Sequence, residues 1–258
     1  PPPAIPTPAP EEPNAPPDVD RGRGRADPNN RATVVDAFDG LVSASQNHWP
    51  SLDFDIGEVN DLLSPVIVSG FYYKTFMWPR SFWTKVYEPR IRAAAGLGRA
   101  PEIPDPDRYQ TRHARCDVLI VGSGPAGPAA ALAASESGQR VMIVDEQAEL
   151  GGSLLHEVTS TIDGVSAQAW AEQAIATLDA RENVIVLPRT TAFGYYNHNH
   201  VVLVERVTDH LSDPSPNLPR ERMWQVRAKE VVLATGSHER PLVFADNDRP
   251  GIMLAESV

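Results

Sequence analysis

The feature that most constrains this chain is a glycine-rich turn, Gly122-x-Gly124-x-x-Gly127, set between an apolar strand and a helix. The apolar run 118–121 precedes the turn and is typical of a buried parallel strand. The alanine-rich run Ala129–Ala134 follows it and predicts a helix, and a second apolar run, Val141–Val144, predicts another strand. Asp145 ends that second strand, 23 residues after Gly122. A strand, glycine turn, helix, strand and acid in this order indicate a dinucleotide-binding unit.

Each residue of the turn has a physical task in such a unit. Gly122 permits the tight turn out of the strand, and Gly124 lets the backbone approach a pyrophosphate. Gly127 lets the helix pack close to the sheet. Pro125 falls in the first helical turn, where the missing N–H costs little. The free N–H groups near Ala126 and the positive end of the helix dipole then face the phosphates.

The acid at the end of the second strand predicts which nucleotide is bound. Asp145 is placed to accept hydrogen bonds from the adenosine ribose hydroxyls. A 2′-phosphate would be repelled by Asp145 and by Glu146 beside it. The pair therefore favours NAD or FAD over NADP.

Composition excludes several classes of protein. A net charge of −11 without a basic stripe argues against a nucleic-acid partner. The single cysteine, Cys116, permits no internal disulfide and no cysteine metal cluster, and it fits a reducing cytoplasm. No apolar run approaches the roughly 20 residues of a membrane-spanning helix. The chain begins without Met, in a proline-rich run, and we expect it to be a fragment of a longer protein.

The sequence predicts three regions. Residues 1–30 contain ten prolines and are expected to be disordered. Residues 31–115 form an aromatic-rich wrapping segment and linker, with a short helix at Arg90–Leu97. Residues 116–258 form the dinucleotide-binding domain, which we expect to be incomplete at its carboxyl end.

Within that domain, the predicted order of elements defines the fold class. A helix is predicted at Val165–Asp179 and a third parallel strand at Asn183–Leu187. Three alternating segments predict an antiparallel meander, and a last apolar strand follows; the four are Thr190–Tyr196, Val201–Val207, Met223–Arg227 and Glu230–Ala234. We therefore predict an α/β, three-layer Rossmann-like domain with a crossover antiparallel β-meander.

Several sequence phrases resemble a known family. Pro125-Ala126 in the glycine turn, the Gly151-Gly152 pair and Ala-Thr-Gly after the last strand resemble the two-dinucleotide-binding-domain flavoproteins. More specific phrases are EEPNA at 11–15, FYYKTFMWP at 71–79, RTTAFGYY at 189–196 and GSHERPLVFADNDRPGIMLA at 236–255. Together they resemble the alpha subunits of heterotetrameric sarcosine oxidases.

The resemblance implies an activity shared among several subunits. In that family sarcosine is oxidatively demethylated at FAD on the beta subunit, and electrons pass to FMN near the alpha–beta boundary and then to oxygen, giving peroxide. The alpha subunit is longer than this chain, with a ferredoxin-like domain before this region and a folate-binding domain after it. It binds NAD without using it in turnover. The implied partners are the beta and smaller subunits, and the isolated chain is expected to be inactive.

The resemblance also places the NAD contacts on this sequence. The backbone of Gly124, Pro125 and Ala126 would hold the pyrophosphate, and Asp145, Glu146 and Gln147 would surround the adenosine ribose. Family members can carry Arg at the position of Gln147, and Gln keeps the hydrogen bonding without the charge. The remaining implied contacts are Ser153 after Gly152, the backbone of Ala192 at the adenine edge, and Thr235 with Gly236 on the other side.

Other candidate sites have competing interpretations. Phe71–Tyr87 holds eight of the 18 aromatic residues and is either a hydrophobic anchor or a subunit or flavin-facing surface. His198-Asn199-His200 is interpreted as a solvated hairpin turn rather than a metal site. Arg240, within His238-Glu239-Arg240, either pairs with a phosphate or forms a structural ion pair with Glu239 or Asp246. No Ser/His/Asp or Cys/His set indicates a nucleophile, and no catalytic residue is assigned.

Two rival functions remain open at this point. One is an FAD-binding, pyridine-nucleotide-dependent reductase or another amine dehydrogenase subunit. The other is a non-catalytic module, in which a bound dinucleotide stabilises an interface.

Overall fold

A computed structural model describes residues 19–20, 26–27, 35–43, 48, 50–51, 53–56, 62, 76, 78–94, 104–237, 239–240, 242–247, 249 and 251–254. The chain divides into two units. The first comprises Pro1–Arg108 and Thr208–Leu218, and the second comprises Tyr109–Val207 and Pro219–Val258. The second unit begins at Tyr109, rather than near Cys116, because its first long strand already begins there.

The first unit contains short elements. Strands β1 (Val19–Asp20), β2 (Ala26–Asp27) and β3 (Val42–Ser43) form an antiparallel sheet in the order β2-β1-β3. Most of residues 1–30, which were predicted to be disordered, lie outside the described residues, and β1 and β2 are the described part. Helix α1 (Glu88–Ala94) follows a 3-10 turn and a π-helical turn over residues 80–87. The helix predicted at Arg90–Leu97 is thus present but begins two residues earlier.

The described end of the aromatic segment combines internal contacts with exposure. The ring of Tyr87 lies 5.0 Å from that of Phe76, and its hydroxyl donates to the carbonyl of Trp78 at 3.1 Å. The side chain of Trp78 is nevertheless 84% exposed, and Phe82 is 48% exposed. Residues 71–75 and 77 lie outside the described residues. Phe76, Trp83 and Tyr87 are half-buried. The anchor and the interface interpretations of this segment therefore both stay predictions.

The second unit is built on one six-stranded sheet in the order β8-β5-β4-β11-β10-β9. Its strands are β4 (Tyr109–Val121), β5 (Val141–Val144), β8 (Val184–Leu187), β9 (Thr190–Tyr196), β10 (His200–Arg206) and β11 (Glu221–Leu233). Strands β8, β5, β4 and β11 pair in parallel, and β11, β10 and β9 form an antiparallel meander. The predicted α/β fold with a parallel sheet and a meander is confirmed.

Strand β11 corrects one prediction. Met223–Arg227 and Glu230–Ala234 were predicted as separate strands, but they form a single strand of 13 residues. β11 pairs in parallel with β4, which also has 13 residues, while its first half pairs antiparallel with β10. The polar residues between the two apolar runs did not interrupt the strand, because ladder hydrogen bonds to β4 continue on both sides of them.

Helices cover one face of the parallel sheet. Helix α2 (Ala126–Glu136) and helix α3 (Ala167–Asp179) pack against the strand residues Val118, Ile120, Val141, Ile143 and Val184 through Ala131 and Leu178. The opposite face packs against the meander. Leu119 and Met142 there share a cluster with Leu203, Trp224 and Val226. The alternating strand residues thus supply two cores, one to each layer.

The start of α3 differs from its prediction at Val165. A short hairpin, β6 (Thr161–Ile162) and β7 (Val165–Ser166), precedes the helix. Its turn, Asp163-Gly164, has positive φ angles of 53° and 82°, which an Asp-Gly pair tolerates. Ser166 then accepts a hydrogen bond from the N–H of Ala169 at 3.3 Å and caps α3. Within the described ranges, no helix combines the length and apolar character needed to cross a membrane.

Asp117 in β4 contacts Arg140, the residue before β5, and Lys229 in β11. Its carboxylate accepts hydrogen bonds from the backbone N–H of Arg140 at 2.9 Å and from the Arg140 guanidinium at 3.3 Å, and it pairs with the Lys229 ammonium at 2.9 Å. The hydrogen bond from Lys229, followed by those from Arg140, holds the pKa of Asp117 well below its usual range. The charged form is therefore favoured in the folded chain.

This low pKa predicts an acid-dependent loss of stability. Asp117 contributes its full stabilisation above its unfolded pKa of about 3.9 and loses it as the pH falls towards the lower folded pKa. We expect the free energy of unfolding of the wild type to fall more steeply below about pH 4 than that of Asp117→Asn. Urea unfolding at a series of pH values measures this difference. Parallel pH curves for the two proteins would exclude a role for the Asp117 charge.

Candidate functional site

The first glycine of the turn is required by the close approach of two strand ends. Gly122 has a φ of 105°, and its N–H donates to the carbonyl of Val144 at the end of β5 at 2.8 Å. A Cβ atom at Gly122 would overlap the carbonyl oxygen of Ala234, just after β11. The turn therefore brings the carboxyl ends of β4, β5 and β11 to one place, where open α/β sheets bind ligands.

The third glycine fixes the helix against the turn. A Cβ atom at Gly127 would overlap the carbonyl oxygen of Gly122 and lie 3.6 Å from Cγ2 of Ile120. Helix α2 begins at Ala126, and Pro125 before it provides no capping side chain. Pro125 thus offers the first-turn N–H groups of α2 no side-chain acceptor, and the N–H of Gly127 donates to the carbonyl of Gly124 at 3.1 Å. N–H groups at a helix amino end that lack an intrahelical partner are where proteins bind anions.

The second glycine opens onto free space. A Cβ atom at Gly124 would have no atom of the described residues within 4 Å. Gly152 lies close by, since a Cβ atom there would come within 2.9 Å of the Gly124 Cα atom. The absence of a side chain at Gly124 leaves a cradle beside the amino end of α2. A glycine without neighbours at the amino end of a helix is typical of turns that bind a dinucleotide pyrophosphate.

The acid after β5 is held by hydrogen bonds from the glycine turn. Oδ2 of Asp145 accepts from the N–H and from the hydroxyl of Ser123, each at 2.7 Å. Oδ1 accepts from the N–H of Gln147 at 2.9 Å. The Ser123 hydroxyl also accepts from the N–H of Gly151 at 3.0 Å. Three donors therefore orient the Asp145 carboxylate beside the cradle.

The backbone of the acid turn, residues 145–147, is fixed from the meander side. The carbonyl of Asp145 accepts from the N–H of Thr190 at 2.6 Å, and that of Gln147 accepts from the N–H of Arg189 at 2.9 Å. The carbonyl of Glu146 accepts from the Arg206 guanidinium at 2.6 Å. The carboxylates of the turn therefore project from a backbone whose three carbonyls are all hydrogen-bonded.

Comparison with known proteins identifies the family. Residues 117–212 match the protein family described as FAD dependent oxidoreductase. The sarcosine oxidase alpha subunit of Rhizobium meliloti (strain 1021) is 54% identical over 95% of this chain, and that of Corynebacterium sp. (strain P-1) is 53% identical over 63% of it. Over the matched region, the chain belongs to the sarcosine oxidase alpha-subunit family. It spans 24% of the Rhizobium relative and 17% of the Corynebacterium one.

Two further proteins are more distantly similar. One subunit of the opine oxidase of Agrobacterium tumefaciens (strain Ach5) is 32% identical over 54% of this chain and 27% of its own length. The solved structure of L-proline dehydrogenase from P. horikoshii is 25% identical, with a TM-score of 0.42, and the match covers 56% of this chain and 27% of that one.

Most residues predicted for the site lie around the cradle. They are Gly122, Gly124, Pro125, Ala126, Gly127, Asp145, Glu146, Gln147 and Gly152. Thr235 is also near, because its N atom would lie 3.1 Å from a Cβ at Gly122. Ser153 follows Gly152 and is exposed, in a 3-10 turn. Gly236 has a φ of 69° just beyond the strand end.

Ala192 occupies a different environment from that of the cradle residues. It pairs with Leu203 on β10 and packs, half-buried, against the core cluster below the meander. Its predicted contact with adenine is through the backbone, and the residue of its strand that donates a hydrogen bond to the acid turn is Thr190. The contact of Ala192 with a nucleotide stays a prediction.

Ser123 is the site residue that sequence reasoning missed. It is fully buried and hydrogen-bonds both the acid and the Gly-Gly pair. The sequence signal was its position between the first two glycines, where its short side chain reaches the end of the neighbouring strand. The interpretation of Gly-x-Gly considered only the backbone of the turn and left out the side chain between the two glycines.

The other candidate residues lie away from the cradle or outside the described residues. The predicted hairpin turn is present at residues 197–199, with positive φ at His198 and Asn199. In the part of the chain that the structure describes, His, Cys, Asp and Glu side chains do not gather in groups of three that could hold a metal ion. His238 lies outside the described residues, so the interpretation of His238-Glu239-Arg240 stays a prediction.

Proposed function

We propose that the cradle at the ends of β4, β5 and β11 binds NAD, and that the chain is the NAD-binding part of a sarcosine oxidase alpha subunit. The observation that carries this proposal is Asp145, which is oriented beside Gly124 at the carboxyl end of β5. A cradle without a side chain, a helix amino end and an oriented acid match a pyrophosphate followed by an adenosine ribose. The identity to sarcosine oxidase alpha subunits supports the wider role.

Each part of the cradle has one task in this proposal. The backbone at Gly124, Pro125 and Ala126 binds the pyrophosphate, and the acid turn binds the ribose. When bound, NAD would supply a nicotinamide ring that can accept a hydride. We propose that it stays bound without entering turnover.

The catalytic step belongs to the assembled complex in this proposal. Sarcosine is demethylated to glycine at FAD on a beta subunit, and the electrons pass through FMN to oxygen, which is reduced to hydrogen peroxide. The partners are the beta and smaller subunits of a cytoplasmic heterotetramer. The isolated chain, in which no catalytic residue is assigned, is inactive towards sarcosine.

The charges around the acid turn favour NAD over NADP. Asp145 and Glu146 place two carboxylates at the ribose position, where a 2′-phosphate would be repelled. The Arg206 guanidinium lies at the same turn but already donates to the carbonyl of Glu146. The two adjacent carboxylates therefore disfavour a third anionic group at this position.

We expect this chain to bind NAD at least about tenfold more tightly than NADP, a difference of about 1.4 kcal/mol. Isothermal titration calorimetry of the purified chain with each nucleotide measures the ratio. Glu146→Gln removes one of the two charges and should narrow the ratio, whereas Glu136→Gln on the outer end of α2 should leave it unchanged. NADP binding that equals or exceeds NAD binding would contradict the assignment of Asp145.

FAD is the second candidate for the same cradle, and one observation favours it. The family that matches residues 117–212 is described by its dependence on FAD. FAD shares the adenosine ribose and pyrophosphate that the cradle fits. A yellow protein that releases FAD on denaturation would support an FAD-binding reductase or amine dehydrogenase subunit, and a colourless protein that releases NAD, identified by mass spectrometry, supports the first proposal.

A further inference from the structure

Ser123 occupies a position at which one side chain meets two loops. It is fully buried, and its hydroxyl donates to Oδ2 of Asp145 at 2.7 Å. The same hydroxyl accepts from the N–H of Gly151 at 3.0 Å. Its backbone N–H donates to the same Oδ2, also at 2.7 Å. Ser123 therefore directs two donors at a single carboxylate oxygen.

These contacts limit what Asp145 can still accept. An ionised carboxylate offers about four acceptor sites, two on each oxygen. Both sites of Oδ2 are taken by Ser123, and one site of Oδ1 is taken by the N–H of Gln147. A single acceptor site, on Oδ1, remains for a ligand.

A ribose presents two neighbouring hydroxyls, and both need an acceptor when they are desolvated. Asp145 can serve one of them. The next side chain, Glu146, is exposed, and its carboxylate makes no hydrogen bond to any residue that the structure describes. It follows Asp145 directly on a turn whose carbonyls are fixed by the meander.

We propose that Ser123 is a positioning residue that restricts Asp145 to one ribose hydroxyl and thereby assigns the second hydroxyl to Glu146. This inference rests on the proposed binding of NAD. It explains why two consecutive acids, rather than one, stand at the end of β5. The hydrogen bond from the N–H of Gly151 to the Ser123 hydroxyl also connects Asp145 to the proposed pyrophosphate site, because Gly152, the next residue, lies against Gly124.

The test is a double-mutant cycle between two side chains for which the structure shows no direct contact. Calorimetric titration with NAD compares the wild type, Ser123→Ala, Glu146→Gln and the double variant. In the wild-type background, Glu146→Gln is expected to weaken NAD binding about tenfold, the loss of one charged acceptor. In the Ser123→Ala background, Oδ2 of Asp145 regains a free acceptor site and can accept a hydrogen bond from the second ribose hydroxyl. Glu146→Gln should therefore weaken NAD binding less than about twofold in that background.

Ser135→Ala is the matched control for removing a buried hydroxyl. Ser135 is 6% exposed, and its hydroxyl donates to the carbonyl of Leu132 within α2, away from the cradle. Removal of the Ser135 hydroxyl should leave unchanged the loss of NAD affinity that Glu146→Gln causes. A purely structural role of Ser123 would weaken NAD binding but would not reduce the cost of Glu146→Gln, and equal costs in both backgrounds would overturn the inference.

A second measurement applies if Ser123→Ala does not fold. The wild type and Glu146→Ala, which removes the acceptor altogether, are titrated with NAD analogues that lack the adenosine 2′- or 3′-hydroxyl. The inference predicts that the wild type loses affinity for both analogues, while Glu146→Ala has become insensitive to removal of one hydroxyl. Continued sensitivity of Glu146→Ala to both would overturn it.

The two proposals fail in different ways. A folded wild type that binds no NAD in calorimetry overturns both the proposed function and the role of Ser123. NAD binding with no coupling between Ser123 and Glu146 overturns only the positioning role.

Discussion

The Gly124→Val variant is expected to fold like the wild type and to bind NAD at least about 100-fold more weakly, a loss of about 2.8 kcal/mol. Gly124 lies outside the positive-φ range that favours glycine, and a Cβ atom added there would have no atom of the described residues within 4 Å. The valine side chain therefore begins in open space. It occupies the volume that the proposed pyrophosphate requires, so binding is lost while the sheet remains intact.

The measurement combines calorimetry with circular dichroism. Matching spectra and urea midpoints for wild type and variant establish the fold, and the titration measures binding. Ala133→Val, at an exposed position further along α2 and away from the cradle, serves as a control for placing a valine side chain in the same helix. A folded Gly124→Val protein with wild-type affinity would show that the pyrophosphate lies elsewhere.

The second large effect is expected at Gly127, where a single methyl group should destabilise the fold. A Cβ atom there would overlap the carbonyl oxygen of Gly122, which is backbone and cannot rotate away. Gly127 lies in α2, where alanine is intrinsically favoured over glycine by about 1 kcal/mol. We expect the overlap to dominate and Gly127→Ala to lower the free energy of unfolding by about 3 kcal/mol, the upper range for overpacking.

Urea unfolding followed by circular dichroism measures this change. Gly124→Ala is the matched control, since it adds the same methyl group three residues earlier in open space and should leave stability within about 0.5 kcal/mol. The two alanine variants thus separate the packing glycine from the binding glycine. Stability of Gly127→Ala equal to or above that of the wild type would contradict the close approach of α2 to the turn.

Much of the second unit was predictable because its signals are local. Val141–Val144 and Thr190–Tyr196 were predicted as strands with the bounds that they have in the structure. The α/β class and the meander were confirmed as well, because buried parallel strands are continuous apolar runs and meander strands alternate. The family was also readable from sequence phrases, and the identity to sarcosine oxidase alpha subunits confirms it.

Strand β11 is an example of a feature that local sequence patterns do not predict. Its two apolar runs are separated by polar residues, and a pattern in one strand does not reveal that a neighbour of equal length pairs with both runs. The extent of β4 was missed for the same reason, since its first half is mostly exposed and carries little apolar pattern. Ladder pairing between residues more than 100 positions apart decided both lengths.

The sequence by itself determined the order of elements, the placement of glycines where the backbone must turn or pack closely, and the acids at the end of β5. These follow from backbone sterics and hydrophobic periodicity, which act over a few residues. Only the tertiary structure decided that Ser123 is buried against Asp145 and Gly151, and that the group against which Gly127 packs is the carbonyl oxygen of Gly122. Hydrogen-bond partners and the space around a Cβ depend on which strand ends meet, and that is set by packing between distant segments.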